Sequence, residues 1–170
     1  MLTCGQSAAE IAPAAATGRR PRILVAGLGN LLMGDDGVGS HACRAWRAER
    51  PGPHHLLVAD VGTAIYDALH LLEWADRILV IDAMLGGAPP GTLYLAEPHQ
   101  LEVSGAGVSL HDLSLLGALS IMKDPRSRKV EVLGVEPAVV RLGTELSDPV
   151  AHAIPALLRE ARRIVACWLA

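Results

Sequence analysis

A short apolar run, Ile23 to Ala26, leads directly into a glycine-rich turn and then into two adjacent acids, Asp35 and Asp36. A run of this kind is typical of a buried strand in an α/β protein. The residues that follow such a strand lie at the carboxyl edge of the sheet, where open α/β folds bind their ligands. The sequence therefore predicts an α/β protein with acidic side chains at its ligand-binding edge.

The glycine turn resembles the start of a dinucleotide-binding motif, but one of the three glycines is missing. Gly27 and Gly29 fill the first two positions of the Gly-x-Gly-x-x-Gly pattern, and Leu32 stands at the third. The third glycine allows a helix to pack closely on the strand, and acids beside the turn would repel a pyrophosphate. The turn thus favours a cation over a phosphate, and a nucleotide-binding oxidoreductase is the less favoured alternative.

Apolar segments alternate with helix-forming segments along most of the chain. This alternation predicts a three-layer α/β sandwich, in which a mostly parallel, twisted sheet of about five strands lies between helices. The predicted strands are residues 22–27, 56–61, 77–83, 92–96 and 130–135, and the predicted helices are residues 37–50, 64–72, 112–122 and 150–169.

The 170 residues are enough for a single domain with a sizeable core, which we expect to span residues 22–170. Residues 1–21 contain an Ala-rich stretch that is broken by Pro13 and followed by two arginines. This composition predicts a poorly ordered N-terminal extension.

Charge and cysteine content argue against several classes of protein. The formal net charge is -3 and no basic block occurs, so we expect neither nucleic acid nor a membrane as a partner. The cysteines, Cys4, Cys43 and Cys167, are scattered and form no Cys-x-x-Cys pair, which predicts a reducing, cytoplasmic location without a thiolate zinc site. Cys43 and Cys167 are predicted to be small buried side chains on helices.

Candidate functional side chains lie at the ends of predicted strands and before one predicted helix. Asp35 and Asp36 follow the first strand, Asp60 and Asp82 belong to the second and third, and His111 precedes a helix. Parallel strands bring their carboxyl ends to one edge, so two of these carboxylates and the imidazole can converge there. Such donors suit a borderline divalent cation such as nickel, zinc or manganese, with coordination positions left open.

Most of these residues also have an ordinary structural explanation. Asp36 is suited to the start of the helix that follows it, and Asp60 is suited to a turn. A lone histidine such as His111 is more often structural than a ligand. Asp82 differs, because a carboxylate within the apolar run Ile-Leu-Val-Ile-Asp-Ala is costly to bury unless it is paired or bound to a metal.

Five segments, in this order, resemble the hydrogenase maturation endopeptidases. They are residues 27–39, 60–64 (Asp-Val-Gly-Thr-Ala), 79–83 (Leu-Val-Ile-Asp-Ala), 109–113 (Ser-Leu-His-Asp-Leu) and 133–137 (Leu-Gly-Val-Glu-Pro). The second segment departs from the family pattern, since it has Val61 where Gly is usual. The resemblance implies an aspartyl-type endopeptidase that removes a C-terminal extension from the precursor large subunit of a [NiFe] hydrogenase after nickel has been inserted.

The resemblance also implies roles for three residues. Asp36, Asp82 and His111 fall on the metal-binding positions of the family, so they are the expected metal ligands and catalytic residues. The nickel would come with the precursor and would either polarise the peptide carbonyl or lower the pKa of a bound water. Some family members have Glu at the position of Asp36. We expect a monomer, and a non-catalytic nickel-binding assembly factor is the main alternative.

Overall fold

A computed structural model describes residues 19–49, 52–98, 100, 108–109, 112–123 and 128–170. The predicted N-terminal extension lies almost entirely outside these ranges. His111 also lies outside the described residues.

Strands and helices alternate along the described chain, as the sequence predicts. The strands are β1 (Ile23–Leu28), β2 (Leu56–Gly62), β3 (Arg77–Leu85), β4 (Leu93–Ala96), β5 (Val108–Ser109) and β6 (Lys129–Val135). The helices are α1 (Val38–Glu49), α2 (Leu69–Trp74), α3 (Asp112–Ile121) and α4 (Asp148–Leu169), and a 3-10 helix, Gly34–Gly37, precedes α1.

The strands form one twisted sheet in the order β2-β1-β3-β6-β4. β1, β2, β3 and β6 are parallel, β4 runs antiparallel to β6, and the two-residue β5 pairs antiparallel with the end of β3. In this register Gly27 of β1 lies opposite Asp60 of β2 and Ile81 of β3. The expected mostly parallel sheet of about five strands is therefore confirmed.

The two faces of the sheet bury separate apolar cores, because successive side chains of a strand point to opposite faces. Val25, Leu79 and Ile81 pack with α1 and α4 on one face. Ala26 and Val80 pack with α2 and α3 on the other face. The predicted three-layer sandwich is thus confirmed.

Several local predictions differ from the structure. Residues 64–68, predicted as helix, form short-range turns with hydrogen bonds such as Asp67 N–H to the Ala64 carbonyl oxygen (3.0 Å), and α2 begins only at Leu69. β3 is two residues longer than predicted because Met84 and Leu85 pair with β5.

No helix in the described ranges is both long and apolar enough to span a lipid bilayer.

Another difference concerns the cysteines. Cys43 is fully buried on α1, as predicted, but Cys167 on α4 is exposed. Ala161, Ile164 and Trp168 recur at helical spacing and form the buried face of α4. Cys167 lies outside that stripe, so its predicted burial is wrong.

Candidate functional site

Glycines allow the segment after β1 to fold tightly over the carboxyl edge of the sheet. A Cβ atom at Gly39 would collide with the carbonyl oxygen of Ile81, and one at Gly27 would collide with the carbonyl oxygen of Gly39. Gly29 has φ +117°, and a Cβ there would collide with the carbonyl oxygen of Asp36. The close approach of these backbones brings the 3-10 helix, with Asp36, onto the ends of β1 and β3.

Asp36 is buried inside this turn, with only 3% of its surface exposed. Its Oδ2 accepts a hydrogen bond from the backbone N–H of Asn30 (2.8 Å). The side chain of Asn30 in turn accepts a hydrogen bond from the backbone N–H of Leu32 (2.9 Å). The carboxylate is therefore held by the turn that leads into the 3-10 helix.

Asp82 lies in β3 and is also buried, with 2% of its surface exposed. It pairs with Gly134 of β6, and its Oδ1 accepts a hydrogen bond from the backbone N–H of Ala83 (2.8 Å). The alternation along β3 assigns Asp82 to the face of Val80 and Met84, which α2 and α3 cover. α3 begins at Asp112, directly after His111 in the chain.

Asp36 and Asp82 thus lie at the same carboxyl edge of the sheet. The participation of His111 stays a prediction, because this residue lies outside the described ranges. Within those ranges, no three His, Cys, Asp or Glu side chains are grouped closely enough to hold a metal ion. A three-donor site built on Asp36 and Asp82 therefore needs a donor from outside the described residues.

The neighbouring acid, Asp35, has a structural role. Its fully buried carboxylate accepts hydrogen bonds from the backbone N–H groups of Ala138 (2.8 Å), Val139 (2.9 Å) and Ser147 (2.7 Å), and from the Ser147 hydroxyl (2.8 Å). Burial by itself would raise the pKa of Asp35, but these hydrogen bonds stabilise the charged form and hold the pKa below its ordinary value. Asp35 therefore fastens the loop of residues 138–147 to the 3-10 helix.

Asp60, the third strand-end acid, is held by α1. Its Oδ1 accepts a hydrogen bond from the Ser40 hydroxyl (2.5 Å), and its Oδ2 pairs with Nε of Arg44 (2.8 Å). Both oxygens are engaged, so Asp60 links β2 to α1 rather than serving only a local turn. Asp36 and Asp82 remain as the candidate ligands among the four acids.

Glu136 is a buried acid that the sequence interpretation did not single out. Its Oε2 accepts hydrogen bonds from the backbone N–H of Gly86 (2.7 Å) and from the Tyr94 hydroxyl (2.5 Å). Its backbone carbonyl oxygen accepts a hydrogen bond from the N–H of Gly91 (2.8 Å). Glu136 therefore anchors the loop of residues 86–91, which follows β3. In the sequence, the position of Glu136 directly after a buried strand and before Pro137 could have identified this acid as a candidate.

Comparisons with known proteins agree with this geometry. The family model of HycI, described as hydrogenase maturation protease, matches residues 42–164. HupD of Rhizobium leguminosarum bv. viciae, a hydrogenase expression/formation protein, is 30% identical over 153 residues, which cover 87% of this chain and 76% of HupD. The hydrogenase 2 maturation protease of Escherichia coli (strain K12) is 26% identical over 151 residues, which cover 82% of this chain and 92% of that protein.

Solved structures show the same fold. The hydrogenase maturating endopeptidase HybD from E. coli superposes with a TM-score of 0.75 at 24% identity, covering 85% of this chain and 92% of HybD. The [NiFe] hydrogenase maturation protease HybD from Thermococcus kodakarensis gives a TM-score of 0.72 at 25% identity, covering 84% of this chain and 98% of that chain. Since the family model matches well over half of the residues, the chain belongs to the hydrogenase maturation protease family.

Proposed function

We propose that this hydrogenase maturation protease removes the C-terminal extension of a nickel-loaded [NiFe] hydrogenase large-subunit precursor, with Asp36, Asp82 and His111 binding the nickel of the substrate. One observation carries the assignment: two buried carboxylates, Asp36 and Asp82, share the carboxyl edge of the sheet. The helix that begins directly after His111 packs on the same face as Asp82, which supports an imidazole as the third donor.

The chemistry follows from a metal that arrives with the substrate. Two carboxylates and one imidazole would occupy open coordination positions on the nickel and so place the neighbouring peptide bond at the site. The metal would then act as a Lewis acid on the peptide carbonyl or on a bound water. Precursor without nickel would lack this contact, so cleavage would wait until nickel insertion is complete.

The direct test is cleavage of a purified, nickel-loaded precursor, followed by mass spectrometry of the large subunit. We expect the wild-type protein to release a C-terminal peptide, and we expect D36N and D82N to be slower by about 100-fold or more, since each loses one charged ligand. The matched control is D60N, the same substitution at the same sheet edge on a carboxylate that α1 already engages. Cleavage by D82N at the wild-type rate would refute the assignment.

Nickel dependence separates a protease from an assembly factor. Precursor from which nickel has been removed by a chelator should stay intact, and it should become a substrate again when nickel is restored. An assembly factor that only binds the ion would leave the mass of the precursor unchanged under both conditions.

We infer that the protein works in the cytoplasm as a monomer. The free thiols of Cys43 and Cys167 support a reducing compartment. Sedimentation velocity checks the monomer, and a stable dimer would refute it.

A further inference from the structure

Four apolar side chains are exposed beside the candidate site. Leu32 is 58% exposed, Val139 37%, Val140 40% and Leu142 83%. We call these four residues the apolar rim. Leu32 belongs to the turn after β1, and the other three belong to the loop of residues 138–147. Large apolar side chains that are exposed on neighbouring segments are candidates for an interaction surface.

Backbone hydrogen bonds join the two segments of the apolar rim. The N–H of Gly143 donates to the Leu32 carbonyl oxygen (2.9 Å), and the N–H of Gly34 donates to the Gly143 carbonyl oxygen (2.8 Å). The N–H of Asp35 also donates to the Val139 carbonyl oxygen (3.1 Å). The loop and the turn therefore lie side by side, joined through their backbones.

The buried carboxylate of Asp35 holds the backbone of the loop that carries most of the apolar rim. The Asp35 carboxylate accepts four hydrogen bonds from residues 138, 139 and 147. A loop fastened in this way cannot easily turn its apolar side chains inward. Both ends of the loop are thus fastened, which lowers the backbone entropy lost when a partner binds.

The apolar rim is continuous with the turn that carries Asp36. The backbone N–H of Leu32 donates to the Asn30 side chain, and the backbone N–H of Asn30 donates to the Asp36 carboxylate. A cavity of about 340 Å³ is lined by two residues of the rim, Val139 and Leu142, together with the exposed residues Arg141 and Glu145. An apolar centre with polar residues beside it is the usual composition of a protein–protein contact.

We propose that the apolar rim is the docking surface for the large-subunit precursor, which would contact it with an apolar surface close to its own nickel site. This inference rests on the proposed function. The precursor is favoured over a second copy of this chain because Leu32 of the rim belongs to the turn that carries Asp36, so an occupant of the rim would contact that turn. A second copy seated there would obstruct the site that the precursor must reach.

The test compares the steady-state cleavage of nickel-loaded precursor by L142D and L32D with two control variants. I121D introduces the same charge at an apolar residue of similar exposure (60%) at the far end of α3, and L142M keeps the rim apolar. We expect L142D and L32D to raise KM about tenfold with little change in kcat, which corresponds to the loss of one central contact. I121D and L142M should behave as the wild type.

Binding is measured separately from cleavage, by calorimetry in the D82N background. D82N should still bind the precursor through the rim, and D82N/L142D should bind about tenfold more weakly than D82N/I121D. An unchanged KM in both L142D and L32D, equal affinities of D82N/L142D and D82N/I121D for the precursor, or an equal effect of I121D would overturn the docking proposal. So would a wild-type dimer that L142D dissociates without a change in precursor binding. Failure of the wild-type protein to cleave would refute the proposed function instead, and the calorimetry would still test docking.

Discussion

Ser147 donates both its backbone N–H (2.7 Å) and its hydroxyl (2.8 Å) to the carboxylate of Asp35, a residue 112 positions earlier in the chain. This contact joins the 3-10 helix to the residue that precedes α4, at a position where Asp35 has no exposed surface. The same carboxylate also holds the backbone at residues 138 and 139. A single buried carboxylate therefore holds both ends of the loop that carries most of the apolar rim.

Replacing Asp35 by Asn should destabilise the fold by roughly 2–4 kcal/mol, because an amide nitrogen would face hydrogen-bond donors in a buried position. S147A is the milder comparison, since it removes only the hydroxyl and should cost about 1 kcal/mol. Urea denaturation followed by circular dichroism measures both values. An Asp35→Asn protein as stable as the wild type would show that the buried charge is dispensable.

The stability contributed by Asp35 should depend on pH in the acid range. Its pKa in the folded protein is lowered, whereas the unfolded chain has the ordinary value of about 3.9. Between these two values the unfolded state binds more protons, so the stabilisation is complete above the unfolded pKa and is lost as the pH falls through the folded pKa.

Urea denaturation between pH 2.5 and 7 provides the measurement of this dependence. D35N should lose less stability on acidification than the wild type does. Asp76 and Glu160 also have lowered pKa values, so a residual slope is expected in the variant. If the free energy of unfolding depended equally on pH in both proteins, Asp35 would not contribute to the acid sensitivity.

The sequence predicted most strands closely, because a buried parallel strand has a local signature. The Ile-Leu-Val run of β3 is one example, and only its pairing with β5 lay outside that signature. The roles of the acids were less predictable. Asp35 and Asp36 are adjacent and chemically identical. The contacts that give Asp35 its structural role come from residues more than 100 positions away in the chain, so the sequence could not distinguish it from the candidate ligand Asp36. The link from Asp60 to α1 is likewise a tertiary contact that no local pattern encodes.

Tyr94 should report on the charge of Glu136. Burial raises the pKa of Tyr94 above its ordinary value, and the hydrogen bond from its hydroxyl to Glu136 raises the pKa further. Since Tyr66 is the other tyrosine of the chain, a Y66F background makes the tyrosinate absorbance specific for Tyr94. In that background E136Q should lower the pKa of Tyr94, because the negative charge that opposes phenol ionisation is gone. A pKa that is unchanged or higher in E136Q would contradict the contact.

The two described cysteines should differ sharply in their reactivity. Burial raises the pKa of Cys43 to about 12, and the nearby charge of Asp60 acts in the same direction. At pH 8 only roughly one Cys43 in ten thousand would then be a thiolate, the form that reacts. Cys167 is exposed on α4 and should react without unfolding. In a C4S background, a thiol-reactive chromogenic disulfide should therefore modify one thiol rapidly in the native protein and the second only in urea. C167S should abolish the rapid phase. Rapid modification of both thiols in the native fold would show that Cys43 is accessible to the reagent and would contradict its burial.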